Sequence, residues 1–434
     1  MKRGRLCIIV TSQSGRRKHI AALEEKEALE AYRKAARTLL ERVPGPLPSV
    51  SLPLQRTLRR VLAADIHADV DFPPFDKSVV DGFAVRTEDL VELPARLVVR
   101  GQIAAGDAPG AKCRVGEAFH IMTGAPVPEG ADTVEMIERT RRLADGRVEL
   151  KEPIVSGKNI MRRASEWPAG AVALAAGRRI GPAEIGVLAS CGRVSKVPVY
   201  DTPSVGILAT GDELISARLK PRGGQIRDSN LEMLTACCRS LGIAKVTARR
   251  VRDTIPDLVD AVRGASDTNL LLIAGGLSMG ERDYVATVLR QENAQILFHG
   301  LPIRPGKPVL AARRAEQLIL GLPGNPVSAL VMFHLFARPA IRKMMGFSRL
   351  TYPEARARLT SGIPPAHGRT YFHPAVTCLD GGALYATPIA TKGSADLIGF
   401  SLADSLIVVP VDSGALEPDA AVTVMLLREG DEIA

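Results

Sequence analysis

The stretch Gly321-Leu322-Pro323-Gly324-Asn325-Pro326-Val327-Ser328 joins an apolar strand pattern to a long apolar helix pattern. Its prolines hold φ at about −65° and remove two amide donors, whereas its glycines permit turns that side chains forbid. If the helix begins at Pro326, the free amides of its first turn and its positive dipole end face this loop, which suits phosphate or another oxyanion. A plain strand-to-helix turn is the alternative, and the loop alone does not decide between them.

The sequence before this loop alternates between apolar strand patterns and amphipathic helix patterns. Alternation of this kind predicts a parallel sheet wrapped by helices, that is, a doubly wound α/β domain over residues 201–348. The predicted elements are a strand at 204–209, a helix at 230–241, a strand at 245–251, a helix at 255–265, a strand at 269–274 and a helix at 283–291.

The flanking sequence predicts further domains, so that the fold class is multidomain α/β plus β. Short alternating runs broken by Gly and Pro predict a small β domain at 69–160 and a C-terminal β domain at 349–434. An amphipathic helix at 21–41 and a helix-like segment at 54–62 predict an elongated helix-containing domain, completed by a return segment with a helix at 182–191. We expect a basic tail at 1–20, and a discontinuous N-terminal domain made of 21–68 and 161–200.

Composition narrows the classes of partner. The chain has 434 residues, 46% of them hydrophobic and 24% charged, as in ordinary globular proteins. Its net charge of +10 could indicate a nucleic-acid binder, but the charge is spread along the chain and only 4% of residues are aromatic, which leaves little for base stacking. Small anionic ligands explain the charge as well. The six cysteines show no metal-ligand spacing, and no apolar run is long enough for a membrane span. We therefore expect a reducing, cytoplasmic location.

Polar loops follow the predicted strands of the α/β domain. Ligands of open α/β sheets bind beyond the carboxyl ends of the strands, so these loops are expected to meet. Asp228, Ser229 and Asp283 could simply cap helices, but glycines interleaved with carboxylates and hydroxyls in four such loops favour a phosphate-plus-metal pocket. The loops are 210–213 with Gly211 and Glu213, 223–230 with Asp228 and Ser229, 275–283 with Gly275, Gly276, Ser278 and Asp283, and 321–326 with Pro323 and Pro326.

Arg304-Pro305-Gly306-Lys307 adds two cations whose directions are limited by the neighbouring prolines. Arg offers a planar fork and Lys a point charge, and both suit a tetrahedral or phosphate-like oxyanion. Two solvated cations in a surface turn are the alternative. Carboxylates and cations together predict Mg²⁺ bridging carboxylates to phosphate oxygens. Outside this domain, Asp81 and Thr123 lie in polar turns and either bind ligand or stabilise the turns.

Seven motifs in a fixed order resemble the molybdopterin molybdenumtransferases, the MoeA and gephyrin E-domain family. The resemblance runs from about residue 22 to the end. The motifs are "DKSVVDGFAVR" from Asp76, "IMTGAPVPEGAD" from Ile121, "GILATGDEL" from Gly206, "GGQIRDSN" from Gly223, "AGGLSMGERDY" from Ala274, "RPGKP" from Arg304 and "GLPGNPVSAL" from Gly321.

This resemblance implies the last step of molybdenum cofactor synthesis, in which adenylylated molybdopterin and molybdate react with Mg²⁺ and AMP is released. It implies an elongated four-domain homodimer, with the cleft between the α/β domain of one subunit and the small β domain of the other. Possible partners are a molybdopterin adenylyltransferase and recipient molybdoenzymes. The implied residues are Asp81, Glu213, Asp283 and Lys307 for catalysis, the first three also for metal; Thr123, Gly211, Asp228, Ser229, Gly275, Gly276, Ser278, Arg304, Pro323 and Pro326 for substrate; and Lys307, Ser328, Arg369 and Ser394 for molybdate.

The sequence departs from the family's pattern at three places. The family's usual Arg-Arg-Arg-Gly-Glu-Asp is Met161-Arg-Arg-Ala-Ser-Glu166, its Lys-Pro-Gly-Lys begins with Arg304, and the lysine expected four residues earlier is Gly300. Arg and Lys are not equivalent where anion geometry is set. Two alternative functions therefore stand beside the transferase: a non-catalytic paralogue that binds or delivers the cofactor, and a nucleotide pyrophosphate hydrolase.

Overall fold

The computed structural model describes residues 29–277 and 283–427. These residues form two compact units. The larger unit contains the described residues up to Val50, Arg59–Val61 and those from Tyr200 onward, and the smaller unit contains Ser51–Leu58 and Leu62–Val199.

A six-stranded sheet is the centre of the larger unit. Its strands are β1 (Val205–Thr210), β2 (Val246–Val251), β3 (Leu270–Ala274), β4 (Gln295–His299), β5 (Leu310–Arg314) and β6 (Gln317–Leu322). Their spatial order is β2-β1-β3-β6-β5-β4; the first four are parallel, and β5 is antiparallel to both β6 and β4. The carboxyl ends of β1, β2, β3 and β6 therefore share one edge of the sheet.

Helices cover both faces of this sheet. Alternate residues of β3 show it, because Leu270 and Leu272 belong to one buried cluster and Leu271 and Ile273 to another. This confirms the predicted doubly wound α/β fold, with most element ends within one or two residues of the sequence-based positions. The helices are α1 (residues 29–42), α2 (Asn230–Ser240), α3 (Ile255–Gly264), α4 (Tyr284–Gln291), α5 (Pro326–Met332) and α6 (Arg338–Met344), with a π-helical turn at Phe333–Ala337 between the last two.

Helix α1 packs against the α/β sheet. Tyr32 and Leu39 belong to the same buried cluster as Val205 of β1, and the Tyr32 ring meets Phe336 edge-on at 5.7 Å. The sequence-based boundaries grouped residues 21–68 with 161–200, and 21–28 of that segment lie outside the described residues. The amphipathic pattern identified the helix, but it carries no information about which surface the apolar stripe covers.

The C-terminal β domain is a closed five-stranded barrel. Its strands are β7 (Glu354–Leu359), β8 (Thr370–Asp380), β9 (Ala383–Pro388), β10 (Ser405–Val409) and β11 (Ala421–Leu426). Their spatial order is β8-β9-β7-β11-β10, and the barrel closes because β10 also pairs with β8. The two-residue strand Ile303–Arg304 adds to β8 through a parallel pairing with Thr370 and Tyr371, which joins the α/β domain to the barrel.

The smaller unit contains a six-stranded sheet with a buried core that includes Phe83 and Val85. Its strands in spatial order are Thr133–Met136, Gly82–Val85, Glu117–Ile121, Ala95–Ile103, Arg147–Leu150 and Thr140–Arg142. The return segment has the predicted helix, at Pro182–Ser190. No helix in the described ranges is long and apolar enough to span a membrane.

The predicted helix-like segment at 54–62 is wrong beyond its first turn. Only Leu54–Arg56 is helical, as a 3₁₀ turn. Arg59 has a φ of 66°, in the left-handed region that an α-helix does not contain. Apolar residues at helical spacing therefore coincide here with a turn followed by extended chain.

Candidate functional site

A cavity of about 840 Å³ lies where the carboxyl edge of the α/β sheet faces the barrel. Residues from separate parts of the larger unit line it. From the α/β domain they include Thr210, Glu213, Asn230, Ala274, Leu277, Arg304, Lys307, Pro323, Asn325, Pro326 and Ser328, and from the barrel domain Arg369, Tyr371, Phe372, Thr391, Gly393 and Ser394.

Three cations face this cavity: Arg304, Lys307 and Arg369. None has a carboxylate within ion-pair distance among the described residues. Glu213 is the one carboxylate among the described lining residues, and it too lacks a cation partner there. Unpaired cations around a concave site attract an anion, and their excess over carboxylates makes the cavity suited to an oxyanion.

The 321–328 loop is held in place by the barrel domain. Helix α5 begins at Pro326, as predicted. However, the Val327 amide donates to the Ser394 carbonyl at 3.2 Å, so one first-turn amide is already used by the protein. Asn325 Nδ2 donates to Ser394 Oγ at 2.8 Å, which leaves the Ser394 hydroxyl proton free to donate elsewhere. The loop therefore supplies positioned side chains more than an open backbone cradle.

Asn230, at the start of α2, fixes the other side of the same loop. Its Nδ2 donates to the Gly324 carbonyl at 2.7 Å. The residue is only 6% exposed, and its Oδ1 has no hydrogen-bond partner within the described structure. The sequence motif contained Asn230, but only the structure shows that it connects the second and fourth loops.

Gly275 and Gly276 serve a packing role that the sequence did not show. Gly275 has a φ of 99°, and a Cβ on it would lie 2.3 Å from the Thr210 carbonyl oxygen. Its amide donates to Leu322 O at 3.0 Å. A Cβ on Gly276 would lie 2.9 Å from Thr210 Cγ2. These glycines allow the loop after β3 to pack tightly between β1 and β6, and neither lines the cavity itself.

Asp228 is almost completely buried, at 1% exposure. Its Oδ1 accepts a hydrogen bond from the Leu231 amide at 3.0 Å, and its Oδ2 has no partner among the described residues. Burial raises the pKa of this carboxyl, and the Leu231 amide only partly offsets that. Asp228 thus stabilises the start of α2 while its second carboxylate oxygen is buried without a partner in the described structure.

Replacing Asp228 with Asn is expected to stabilise the protein at pH 7 by about 1 kcal/mol, because the buried charge is removed and the Leu231 contact is kept. A carboxyl whose folded pKa is raised makes the protein less stable as pH rises above its ordinary value of 3.8. The advantage of Asp228→Asn should therefore shrink as pH falls towards about 4.

Urea unfolding at several pH values measures this difference. Asp267→Asn removes an exposed carboxyl and should change stability by less than about 0.5 kcal/mol. If Asp228→Asn does not stabilise the protein, or if the gain does not depend on pH, the raised pKa of the buried Asp228 carboxyl would be contradicted.

Two further carboxylates lie near the sheet edge. Asp283 caps α4 by accepting from the Ala286 amide at 3.0 Å, and its Oδ2 lies 3.0 Å from His299 Nε2 without the alignment of a hydrogen bond. Asp253, after β2, accepts from the Thr210 hydroxyl at 2.9 Å and was not predicted. Its signal was available in the sequence, because Asp253 follows a parallel strand at the same sheet edge.

Asp81 and Thr123 form a hydrogen-bonded pair in the smaller unit. The Thr123 amide and hydroxyl donate to Asp81 Oδ1 at 2.6 and 2.8 Å. The backbone bond first, and then the hydroxyl bond, lower the pKa of Asp81, so this carboxylate is ionised at neutral pH. The motifs that contain these two residues therefore build one local polar feature.

Of the predicted site residues, eight line the cavity: Glu213, Arg304, Lys307, Pro323, Pro326, Ser328, Arg369 and Ser394. Six others belong to loops at the sheet edge but are absent from the described lining of the cavity: Gly211, Asp228, Ser229, Gly275, Gly276 and Asp283. Ser278 lies outside the described residues, and Asp81 and Thr123 lie in the smaller unit. The lining residues Thr391, Tyr371 and Phe372 were not predicted from the sequence. Tyr371 and Phe372 are strand residues of the barrel, which carry no loop signal, and Thr391 lies after the end of β9 in none of the seven motifs.

No cluster of three or more His, Cys, Asp or Glu side chains with metal-site geometry occurs within residues 29–277 and 283–427. Magnesium does not require such a cluster, since it prefers one or two carboxylates plus substrate oxygens. The Glu213 carboxylate, which lines the cavity without a cation partner in the described structure, fits that requirement.

The chain is similar to known proteins along most of its length. Residues 24–192 match the MoeA N-terminal region (domain I and II), residues 206–343 a probable molybdopterin binding domain, and residues 356–427 the MoeA C-terminal region (domain IV). A molybdopterin molybdenumtransferase of Bacillus subtilis (strain 168) is 34% identical over 384 residues, which cover 87% of this chain and 89% of that protein.

Two further relatives match over most of the chain at lower identity. A molybdopterin molybdenumtransferase of Staphylococcus aureus (strain Mu50) is 30% identical over 385 residues, covering 88% of this chain and 91% of that protein. The crystal structure of the molybdopterin biosynthesis MoeA protein of Pyrococcus horikoshii OT3 matches with a TM-score of 0.77 and 28% identity, over 91% of this chain and 99% of that one. The chain belongs to the molybdopterin molybdenumtransferase (MoeA) family.

Proposed function

We propose that this chain is a transferase of molybdenum cofactor biosynthesis that inserts molybdate into adenylylated molybdopterin and releases AMP. One observation carries the proposal: three cations without carboxylate partners in the described structure line one cavity at the carboxyl edge of the sheet. The names of its relatives support the reaction class.

The cavity residues bind and orient the two anionic substrates. Lys307, Arg304 and Arg369 neutralise charge on molybdate and on the pyrophosphate. Ser394 donates its hydroxyl proton to a molybdate oxygen, because its Oγ already accepts from Asn325. Ser328, 4% exposed, has no hydrogen-bond partner for its hydroxyl in the described structure and offers it to the same anion. Holding both reactants in a fixed cavity lowers the entropic part of the barrier.

Glu213 is the residue on the cavity wall that would hold Mg²⁺, with Asp81 and Asp283 as further ligands implied by the family resemblance. Bound Mg²⁺ supplies additional neutralisation of the pyrophosphate oxygens. The homodimer and the partnership with an adenylyltransferase and recipient molybdoenzymes stay predictions from the resemblance. The cytoplasmic location stays a prediction from the composition.

The purified full-length chain should release AMP from adenylylated molybdopterin when Mg²⁺ and molybdate are present, and much less when molybdate is omitted. Chromatographic quantification of AMP measures this. Equal AMP release without molybdate would indicate a nucleotide pyrophosphate hydrolase instead. Tight pterin binding with no AMP above background would indicate a binding protein that does not perform the insertion.

A further inference from the structure

We propose that Tyr371 is a positioning residue that holds the Arg304 guanidinium on its ring face, so that Arg304 presents a fixed fork to a tetrahedral oxyanion in the cavity. The inference rests on the proposed function for the identity of that oxyanion, molybdate. Nothing in the family motifs singles out Tyr371, which lies in barrel strand β8.

The two side chains are brought together by the backbone. Arg304 pairs with Tyr371 in the short parallel ladder between Ile303–Arg304 and β8. The guanidinium carbon of Arg304 lies 4.8 Å from the centre of the Tyr371 ring, within the range of a cation–π contact. Both residues line the cavity. The contact is therefore part of the cavity wall, and the ladder fixes the register in which it forms.

Arg304 has no ion-pair partner among residues 29–277 and 283–427. The tyrosine ring is therefore the electrostatic partner that the described structure provides for the Arg304 guanidinium. His373 lies behind Tyr371, with the two rings 4.8 Å apart. Burial lowers the pKa of His373, and the Arg304 charge lowers it further, so His373 is neutral at pH 7 and adds no positive charge.

The geometry of the pair matters because of what a guanidinium can do. A guanidinium that lies over a ring face makes this contact through its charge, so its N–H donors stay available to bind two oxygens of one anion. Gly300, four residues earlier, contributes no side chain. The charge in this cavity therefore rests on Arg304, Lys307 and Arg369, of which Arg304 is the one held on an aromatic ring.

Isothermal titration of molybdate into the full-length protein tests the inference. Tyr371→Leu should weaken molybdate binding by about 2- to 5-fold, the range of an exposed cation–π contact. Tyr371→Phe keeps the ring face and should stay within about twofold of the parent protein. Arg304→Gln should weaken binding by about tenfold or more, because a charged hydrogen-bonding fork is lost.

A double variant separates positioning from a general structural effect. If Tyr371 acts through Arg304, Tyr371→Leu should cause no further loss in the Arg304→Gln background. Full additivity, unchanged binding by Tyr371→Leu, or a loss in Tyr371→Phe as large as in Tyr371→Leu would overturn the inference. If Tyr371→Leu lowers the melting temperature, Tyr371→Gln, which also lacks the ring, replaces it in the same cycle.

The failure of this inference and the failure of the proposed function give different results. A parent protein that binds no molybdate overturns the role of Arg304 and Tyr371. A parent protein that binds molybdate, shows the expected cycle and releases no AMP contradicts the proposed transferase reaction while supporting this inference.

Discussion

Replacing Lys307 with Ala is expected to lower molybdate-dependent AMP release by about 10- to 100-fold while leaving the fold intact. Its ammonium group lines the cavity and has no carboxylate partner among the described residues, so little folded-state interaction is lost. A hydrogen bond from a charged donor to an anion contributes about 1.5–3 kcal/mol, and each 1.4 kcal/mol corresponds to about a tenfold change. Initial rates of AMP release, with melting temperatures of both proteins, measure the two effects separately.

Lys245→Ala is the matched control for Lys307→Ala. Lys245 is an exposed lysine of the same unit, before β2, and does not line the cavity. Its replacement should leave the rate within about twofold, since surface changes outside a site have small effects. A Lys307→Ala protein that keeps more than half of the parent rate would remove Lys307 from the proposed anion site.

The α/β domain was predictable because its signals are local. Apolar β-branched runs, helix caps and glycine-rich loops placed β1, β3 and α2 close to their observed positions, and Pro326 marked the start of α5. The loops after these strands were correctly expected at one sheet edge, because parallel strands carry their carboxyl ends to the same side.

The barrel side of the cavity was not predictable from local patterns. Arg304 meets Tyr371 only because Ile303–Arg304 joins the sheet of the C-terminal barrel, and a pairing between distant segments leaves no mark on hydrophobic periodicity. Arg369 and Ser394 were named through the family resemblance, and the structure places both on the cavity wall. The residues between their motifs, including Tyr371, had no such signal.

The Gly275–Gly276 pair was identified correctly as special but interpreted incompletely. Glycines in a polar loop at the sheet edge predict a place where the backbone approaches a ligand. The structure shows a close approach to the neighbouring strand, since a Cβ on Gly275 would lie 2.3 Å from the Thr210 carbonyl oxygen. A glycine requirement identifies a crowded backbone, but it does not say whether ligand or protein causes the crowding.

Gly275→Ala is therefore expected to destabilise the protein by about 2–4 kcal/mol, because an alanine at this positive φ is strained and its Cβ overlaps Thr210. The loop must move to relieve the overlap, but its amide is bound to Leu322 O at 3.0 Å. Movement would displace the ends of β1 and β6, which carry Thr210 and the 321–328 loop into the cavity. Urea unfolding measures the loss of stability. AMP release should also fall under conditions in which the variant is still folded.

Gly264→Ala is the control that separates crowding from a general effect of removing glycine. Gly264 ends α3, a Cβ there would have no heavy atom within 4 Å, and its φ is not positive. The substitution should be neutral or stabilise by up to about 1 kcal/mol, since alanine restricts the unfolded chain. If the Gly275→Ala protein were as stable as the Gly264→Ala protein, the close contact between position 275 and the Thr210 carbonyl would be contradicted.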